Sequence, residues 1–321
     1  MEQQPEIVEI DSDVTRDDSA YGDEVSIYTA SLTSSALDYR NENGRRYHAY
    51  REGAYLLPND EQEQDRLDMM HEMILTLMDR KLYLAPIATP SYTLDLGTGT
   101  GLWAIDFADR FPSAEVTGVD LSPIQPSFVP PNVRFIVDDV EAPWTYGHKF
   151  DFIHVRFLAL SIKDYKGLLQ RCYDYASSGG WVEFQDWSFD NISQDGSTKG
   201  TSIEQYYKVG TEAFAKAGYC VSPGPHLEGW FREIGFEDIH VKKYTIPMGI
   251  WPKDRKLKVV GAWNLEEART GMEASAMAVL TRYDTWTPEE VRILVAKALK
   301  DAESRSVHAL FDFYVVYGRK P

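Results

Sequence analysis

The stretch Leu94-Asp95-Leu96-Gly97-Thr98-Gly99-Thr100-Gly101 constrains this chain more than any other. It follows the short apolar run Tyr92 to Leu96, which reads as a strand, and it opens a segment that reads as a helix through Arg110. Three glycines at alternate positions let the backbone turn tightly and lie close to a ligand without Cβ interference. The helix beyond offers free N–H groups and a partial positive charge. The residues that follow continue the alternation. Glu115 to Val119, Val133 to Val137, Phe150 to Val155 and Trp181 to Gln185 read as strands. Tyr165 to Tyr175 reads as a helix that Gly179-Gly180 ends. Repeated β-α-β order with short apolar strands predicts an α/β fold, a parallel sheet with helices on both faces.

On either side the pattern changes. Upstream, Asn59 to Lys81 carries Leu67, Met70, Met73, Ile74 and Leu77 on one helical face, with Asn59 or Asp60 able to cap its start. Downstream, Ile203 to Ala217 and His226 to Ile234 read as helices, and Ile239 to Met248 and His308 to Gly318 as strands. Between those strands lie two further helices, around Leu257 to Ala278 and Pro288 to Ser304, the second opened by the pair Thr287-Pro288. The resulting division is a disordered acidic tail over 1–40, a helical lid segment over 41–90, a ligand-binding core over 91–190, and a cap with the last strands over 191–321. The tail is assigned on its acidic, apolar-poor composition.

What the glycine loop holds depends on its spacing and its acids. A dinucleotide fingerprint, G-x-G-x-x-G, also follows a first strand, but its third glycine would fall on Leu102, whereas here it is Gly101. Asp95 stands inside the strand end. A carboxylate there repels a pyrophosphate and attracts a cationic aminoacyl group. S-adenosylmethionine carries an ammonium and a sulfonium and no phosphate, so it suits Gly97, Thr98, Gly99 and Gly101 better. Asp120, ending the second strand beside Leu121, lies where a carboxylate can accept from both ribose hydroxyls. Its alternative role is a helix cap, for which Ser122 is the better candidate. Asp138 and Asp139, next to Val140, follow the third strand, where one of them could accept from an adenine amino group or simply face solvent. A glycine turn that holds no ligand is the alternative for the loop as a whole.

Charge and cysteine usage narrow the partners. Net charge is −17 and the pI is near 4.8, which repels phosphate backbones, and no basic patch offsets it. No nucleic-acid partner is expected. Cys172 and Cys220 are the only cysteines; one disulfide between them is possible, but they read better as thiols in a reducing compartment, and without CxxC or His-rich context no structural zinc is expected. The N-terminus lacks an apolar signal core and no apolar run reaches the roughly 20 residues of a spanning helix. A soluble, cytoplasmic protein without a membrane partner is expected.

These residues resemble the class I methyltransferase core, and more narrowly the fungal LaeA-like methyltransferases. The narrower likeness rests on Asn43-Gly44-Arg45-Arg46-Tyr47-His48-Ala49-Tyr50-Arg51-Glu52-Gly53, Leu57-Pro58-Asn59-Asp60-Glu61, Asp65-Arg66-Leu67-Asp68, the glycine loop through Asp106, and Phe150-Asp151-Phe152-Ile153-His154-Val155-Arg156. It covers roughly Asn41 to Asp190. The resemblance implies a Rossmann-like, seven-stranded sheet with an antiparallel last strand, formed with Ile239 to Met248 and His308 to Gly318. It implies S-adenosylmethionine as cofactor, with Tyr47 and Arg51 folding over it. It also implies either methylation of an oxygen or nitrogen of a small-molecule acceptor in fungal secondary metabolism, or a regulatory methyltransferase in nuclear complexes with velvet-type proteins.

In such folds ligands meet the carboxyl ends of strands. That points to His154, Val155 and Arg156 after the fourth strand, and to Asp186 and Trp187 after the fifth. His154 is either a general base, since imidazole titrates near neutrality, or a structural histidine. Arg156 either orients an acidic substrate or braces the cofactor carboxylate, or else pairs with Asp151 or Asp186. His226, Tyr206, Tyr207, Trp230 and Trp263 either line an apolar acceptor pocket or belong to the core. That pocket is expected between His154 to Arg156, the segment around Tyr47, and the cap from Gln194 to Ser304.

Overall fold

The computed structural model describes residues 39–48, 50, 51, 55–190 and 192–321. The acidic tail up to residue 38 lies outside the described residues.

The chain opens with a hairpin, β1 (Arg40–Glu42) and β2 (Arg45–Tyr47), paired antiparallel around Asn43-Gly44. Both turn residues have positive φ, 52° and 78°. This is the primed turn that Asn-Gly favours, so a hairpin signal stood in the sequence where only a helical lid was read. Helix α1 (Glu61–Leu77) follows, capped by Asp60, whose side chain accepts from Glu63 N. Met70, Met73, Ile74 and Leu77 are buried on its expected face. Leu67 is only half-buried, because it faces a cavity.

The sheet holds β3 (Tyr92–Leu96), β4 (Glu115–Asp120), β5 (Val133–Val137), β6 (Phe150–Arg156), β7 (Ala176–Ser188), β8 (Glu237–Pro247) and β9 (Leu310–Arg319). Their spatial order is β5-β4-β3-β6-β7-β9-β8. β3 to β7 pair in parallel, while β9 runs antiparallel between β7 and β8. This is the seven-stranded sheet with a reversed last strand that the family resemblance implied. Alternate side chains serve its two faces. Ile153, Val155, Val182 and Phe184 meet α3 (Tyr165–Tyr175) and α5 (Gly224–Ile234) on one face, and Val116 and Phe152 meet α2 (Leu102–Arg110) on the other. Beside them, α4 (Ser202–Lys216), α6 (Arg255–Tyr283) and α7 (Pro288–Ala302) pack with α1 and the β9 residues Phe311, Phe313 and Val315 as the cap. Thr287 caps α7 through a full capping box with Glu290.

Two local expectations fail. Gly179-Gly180 does not simply end α3. The strand begins at Ala176 directly after the helix, with a register shift opposite Phe150 and Phe152, and the glycines lie inside it. A Cβ on Gly180 would fall 2.9–3.2 Å from three backbone oxygens, so the irregularity needs glycine. No helix follows β4 among the described residues, so Ser122 caps none. Pro123, Pro126, Pro130 and Pro131 keep that stretch irregular.

Candidate active site

A cavity of about 430 Å³ opens at the carboxyl ends of β3 to β6. Its wall includes Asp95, Gly97, Thr98, Gly99, Asp120, Leu121, Asp138, Asp139, Val140, His154, Arg156 and Arg51. Twelve residues singled out in the sequence therefore share one wall. Tyr47 and Gly101 do not. Tyr47 is buried in the cap core with Arg282 over its ring at 5.5 Å. Gly101, with φ 85°, is the N-cap position of α2, and a Cβ there would lie 2.5 Å from the Phe135 ring. It seats the helix on β5 rather than facing the cavity. Gly97 combines a φ of 67° with Leu158 Cδ2 at 2.4 Å from where a Cβ would stand, so only glycine fits the turn.

The acids on this wall are fixed by hydrogen bonds. Asp95 accepts from Thr98 Oγ1 at 2.5 Å and meets His154 Nδ1 at 2.7 Å. Because a carboxylate only accepts, Nδ1 carries the imidazole proton and Nε2 is left with a lone pair. That Nε2 is buried and has no partner among the described residues. The ring stacks on Trp103, centroids 3.7 Å apart and 2° from parallel. Burial lowers the His154 pKa to about 4, against the opposing pull of Asp95. That direction keeps the ring neutral and makes it a weaker proton acceptor than a free imidazole. Asp120 accepts from Gly99 N at 2.8 Å and Ser122 N at 2.9 Å, and burial raises its pKa to about 6. Asp139 takes Glu141 N on one oxygen and Arg51 Nη1 on the other, both at 2.8 Å, so the segment before α1 reaches across the mouth to the loop after β5.

Arg156 pairs with neither expected carboxylate. Asp151 is occupied by Ser91 N and Tyr92 N. Asp186 is fully buried, accepting from Leu158 N, Ala159 N, Trp187 N and Tyr165 Oη, and it braces the turn after β6 without reaching the cavity. Instead Arg156 Nη2 lies 2.8 Å from His71 Nδ1 on α1, and His71 Nε2 lies 3.2 Å from Asp106 Oδ2. Burial pulls the guanidinium down to about 10, and its Nη1 is buried without a partner among the described residues. His71 was missed, although it follows Leu67 by four and precedes Ile74 by three on the same helical face.

A second cavity, of about 150 Å³, shares Tyr55, Leu67, Phe157 and Ser161 with the first. Trp187, Phe189, Tyr206, Tyr207 and Phe311 line it, with Arg66 and Glu267. Of the expected pocket aromatics, Tyr206 and Tyr207 are here. Trp263 is 38% exposed on α6, and His226 and Trp230 stack together on α5, against Tyr165 on the other face of the sheet. Both cysteines are free thiols. No described helix is long and apolar enough to cross a membrane.

A parallel sheet with one reversed strand beside its edge, and a glycine loop and strand-end acids at its carboxyl side, defines the class I methyltransferase architecture. Residues 69–241, more than half of the chain, match the family model described as a methyltransferase domain, and the chain belongs to that family. It is an S-adenosylmethionine-dependent methyltransferase. It is 42% identical over 294 residues to the methyltransferase pytC of Aspergillus terreus, covering 91% of each chain. It is 34% identical over 296 residues to the secondary metabolism regulator laeA of Aspergillus flavus, covering 91% of this chain and 80% of that one. A putative methyltransferase from an antibiotic biosynthesis pathway of Anabaena variabilis shares its fold, with a TM-score of 0.51 at 12% identity over 78% of this chain and 96% of that one.

Proposed function

We propose that the chain methylates an oxygen or nitrogen of a small molecule of fungal secondary metabolism, held in the second cavity while the cofactor lies in the first. The observation that carries this reading is the common wall. Two cavities that meet at Tyr55, Leu67, Phe157 and Ser161 can bring two small ligands into contact. The 42% likeness to the methyltransferase pytC supports the methyl transfer itself.

The residues present fit the cofactor. Asp120 keeps a lone pair on each oxygen for ribose hydroxyls, and Leu121, Val140, Asp138 and Asp139 surround the space next to it. The unpartnered Nη1 of Arg156 is a donor for a carboxylate, and the unpartnered Nε2 of His154 is an acceptor for an ammonium. When bound, the cofactor supplies an electrophilic methyl on a sulfonium whose leaving group is a neutral thioether. The chain's part is then to orient the acceptor, exclude water and accept a proton. His154, held neutral against Asp95 and Trp103, acts in this reading as a fixed hydrogen-bond acceptor and not as the base.

Incubation with labelled cofactor and a fungal culture extract tests the assignment. Label is expected in the small-molecule fraction. Label confined to protein would overturn it in favour of a regulatory methyltransferase, with a velvet-type partner as the family resemblance implied; the likeness to the secondary metabolism regulator laeA supports the regulatory role.

A further inference from the structure

The second cavity carries a charge imbalance that an apolar acceptor would not need. Arg66 and Glu267 are the charged residues on its wall. The Arg66 fork is already engaged, with Nε 3.0 Å and Nη2 2.5 Å from the two oxygens of Glu63, and Nη1 2.7 Å from Glu267 Oε1. One guanidinium thus answers two carboxylates. Glu63 is 2% exposed and takes the bidentate pairing, so the surplus negative charge rests with Glu267. Its Oε2 has no hydrogen bond from a described residue, while Gly271 keeps the wall clear of the Arg66–Glu267 Oε1 pair. A Cβ on Gly271 would fall 2.8 Å from Arg66 Cδ and 2.9 Å from Glu267 Oε1.

Part of the rest of the wall is a run of aromatic rings, beside aliphatic residues such as Leu57, Met70 and Leu160. Phe157 and Trp187 lie 5.8 Å apart at 15°, Trp187 and Phe189 6.3 Å at 23°, and Phe189 and Tyr207 6.0 Å at 19°. Phe311 meets Trp187 and Phe189 edge-on. Near-parallel rings favour a flat partner, and ring faces attract positive charge and repel negative. Together with the surplus carboxylate they select a planar cation over a planar anion.

Resting on the small-molecule reading above, we propose that this cavity seats a flat aromatic acceptor carrying a basic nitrogen, with Glu267 as its counter-ion and the Phe157, Trp187, Phe189 and Tyr207 rings against its faces. Burial also raises the Glu267 carboxyl above its ordinary value, which brings it closer to the basicity of an amine. A proton passed from the ammonium to Oε2 leaves the nitrogen lone pair free and Glu267 neutral.

The test titrates the full chain, saturated with S-adenosylhomocysteine, with naphthylmethylamine, naphthylmethanol and naphthoate by calorimetry. The amine should bind about tenfold or more tighter than the alcohol, with naphthoate weakest. Glu267→Gln keeps an oxygen for Arg66 and should abolish the amine preference. It should leave the affinities for the alcohol and for S-adenosylhomocysteine within about twofold. Naphthoate binding as well as the amine, equal binding of amine and alcohol, or no binding of any probe overturns the proposal from the wild-type chain alone, even if the variant does not fold. An amine preference that persists in a folded Glu267→Gln variant overturns it too. Absence of S-adenosylhomocysteine binding strikes instead at the cofactor reading, and the probe series is then run without it.

Discussion

Asp120 balances two backbone donors against the burial that opposes its charge, and the balance leaves its pKa at about 6. A ribose hydroxyl donates to the ionised form. Affinity for S-adenosylhomocysteine should therefore be flat above pH 6 and fall by up to about tenfold per unit below it. Stability of the free protein runs the other way. A carboxyl raised from its ordinary 3.8 contributes stability that is full below that value and lost as pH rises through 6. Asp120→Ala should cost about 0.5–3 kcal/mol of binding at neutral pH and remove this part of the affinity profile. Calorimetry at stepped pH checks both, and an unchanged profile would take Asp120 out of the site. At this scale the strand-end acids were legible because alternation fixes where strands stop. Their bonding was not. Arg156 finds His71 at a separation of 85 residues, and Asp186, near the carboxyl end of β7, turns its carboxylate onto the chain itself. Nothing local in sequence distinguishes an acid that faces a ligand from one that holds a turn.

Gly118 lies inside β4 with ordinary strand geometry, so its cost of substitution is purely steric. A Cβ there would stand 2.6 Å from Phe135 Cδ1 on β5 and 2.8 Å from Thr98 Oγ1 in the glycine loop. Gly118→Ala should destabilise the protein by about 1–3 kcal/mol, as overpacking does. Phe135→Leu should relieve part of that, giving a coupling of about 0.5–3 kcal/mol in a double-mutant cycle followed by urea unfolding. Strictly additive losses would show that the ring is not the obstacle. Short apolar strands and capped helices were readable one element at a time. Helix α6 was read shorter than it is. It is buried against α1, α4, α7 and β8, with Ala274, Ala276, Met277, Ala278, Val279 and Leu280 all enclosed, so its buried residues do not trace a single stripe. The start of β7 was missed because its two glycines look like a stop, whereas they serve a close crossing of backbones.

Across the molecule, the segment before α1 is tied down at both ends. Arg45 grips Asp60 with two bonds, at 2.6 and 2.8 Å, and Glu42 pairs with Arg282 on α6. Arg51 continues the contact to Asp139. Removal of residues 1–38 should leave affinity for S-adenosylhomocysteine within about twofold, and removal through Arg51 should weaken it clearly. Equal affinity of the two truncated chains would show that the tie to Asp139 does not matter for binding. The first cavity was largely visible in the sequence since its wall follows the strand order from β3 to β6. The second cavity was not. Tyr55, Phe157, Glu267 and Phe311 come from four distant stretches and meet only once β9 is in place.

That placement sets an order in time. β9 slots between β7 and β8, so Trp181 must find Arg319 and Ser188 must find Asp312, each pair more than a hundred residues apart along the chain. Contacts of such long range close late, since the intervening chain must first give up its freedom. In refolding from denaturant, binding of S-adenosylhomocysteine should therefore return ahead of binding of a naphthyl probe, which a pair of delayed-mixing experiments can time. During that interval the sheet would present an open edge at β7, a surface prone to pair with another chain, and refolding yield should fall with protein concentration until β9 has docked.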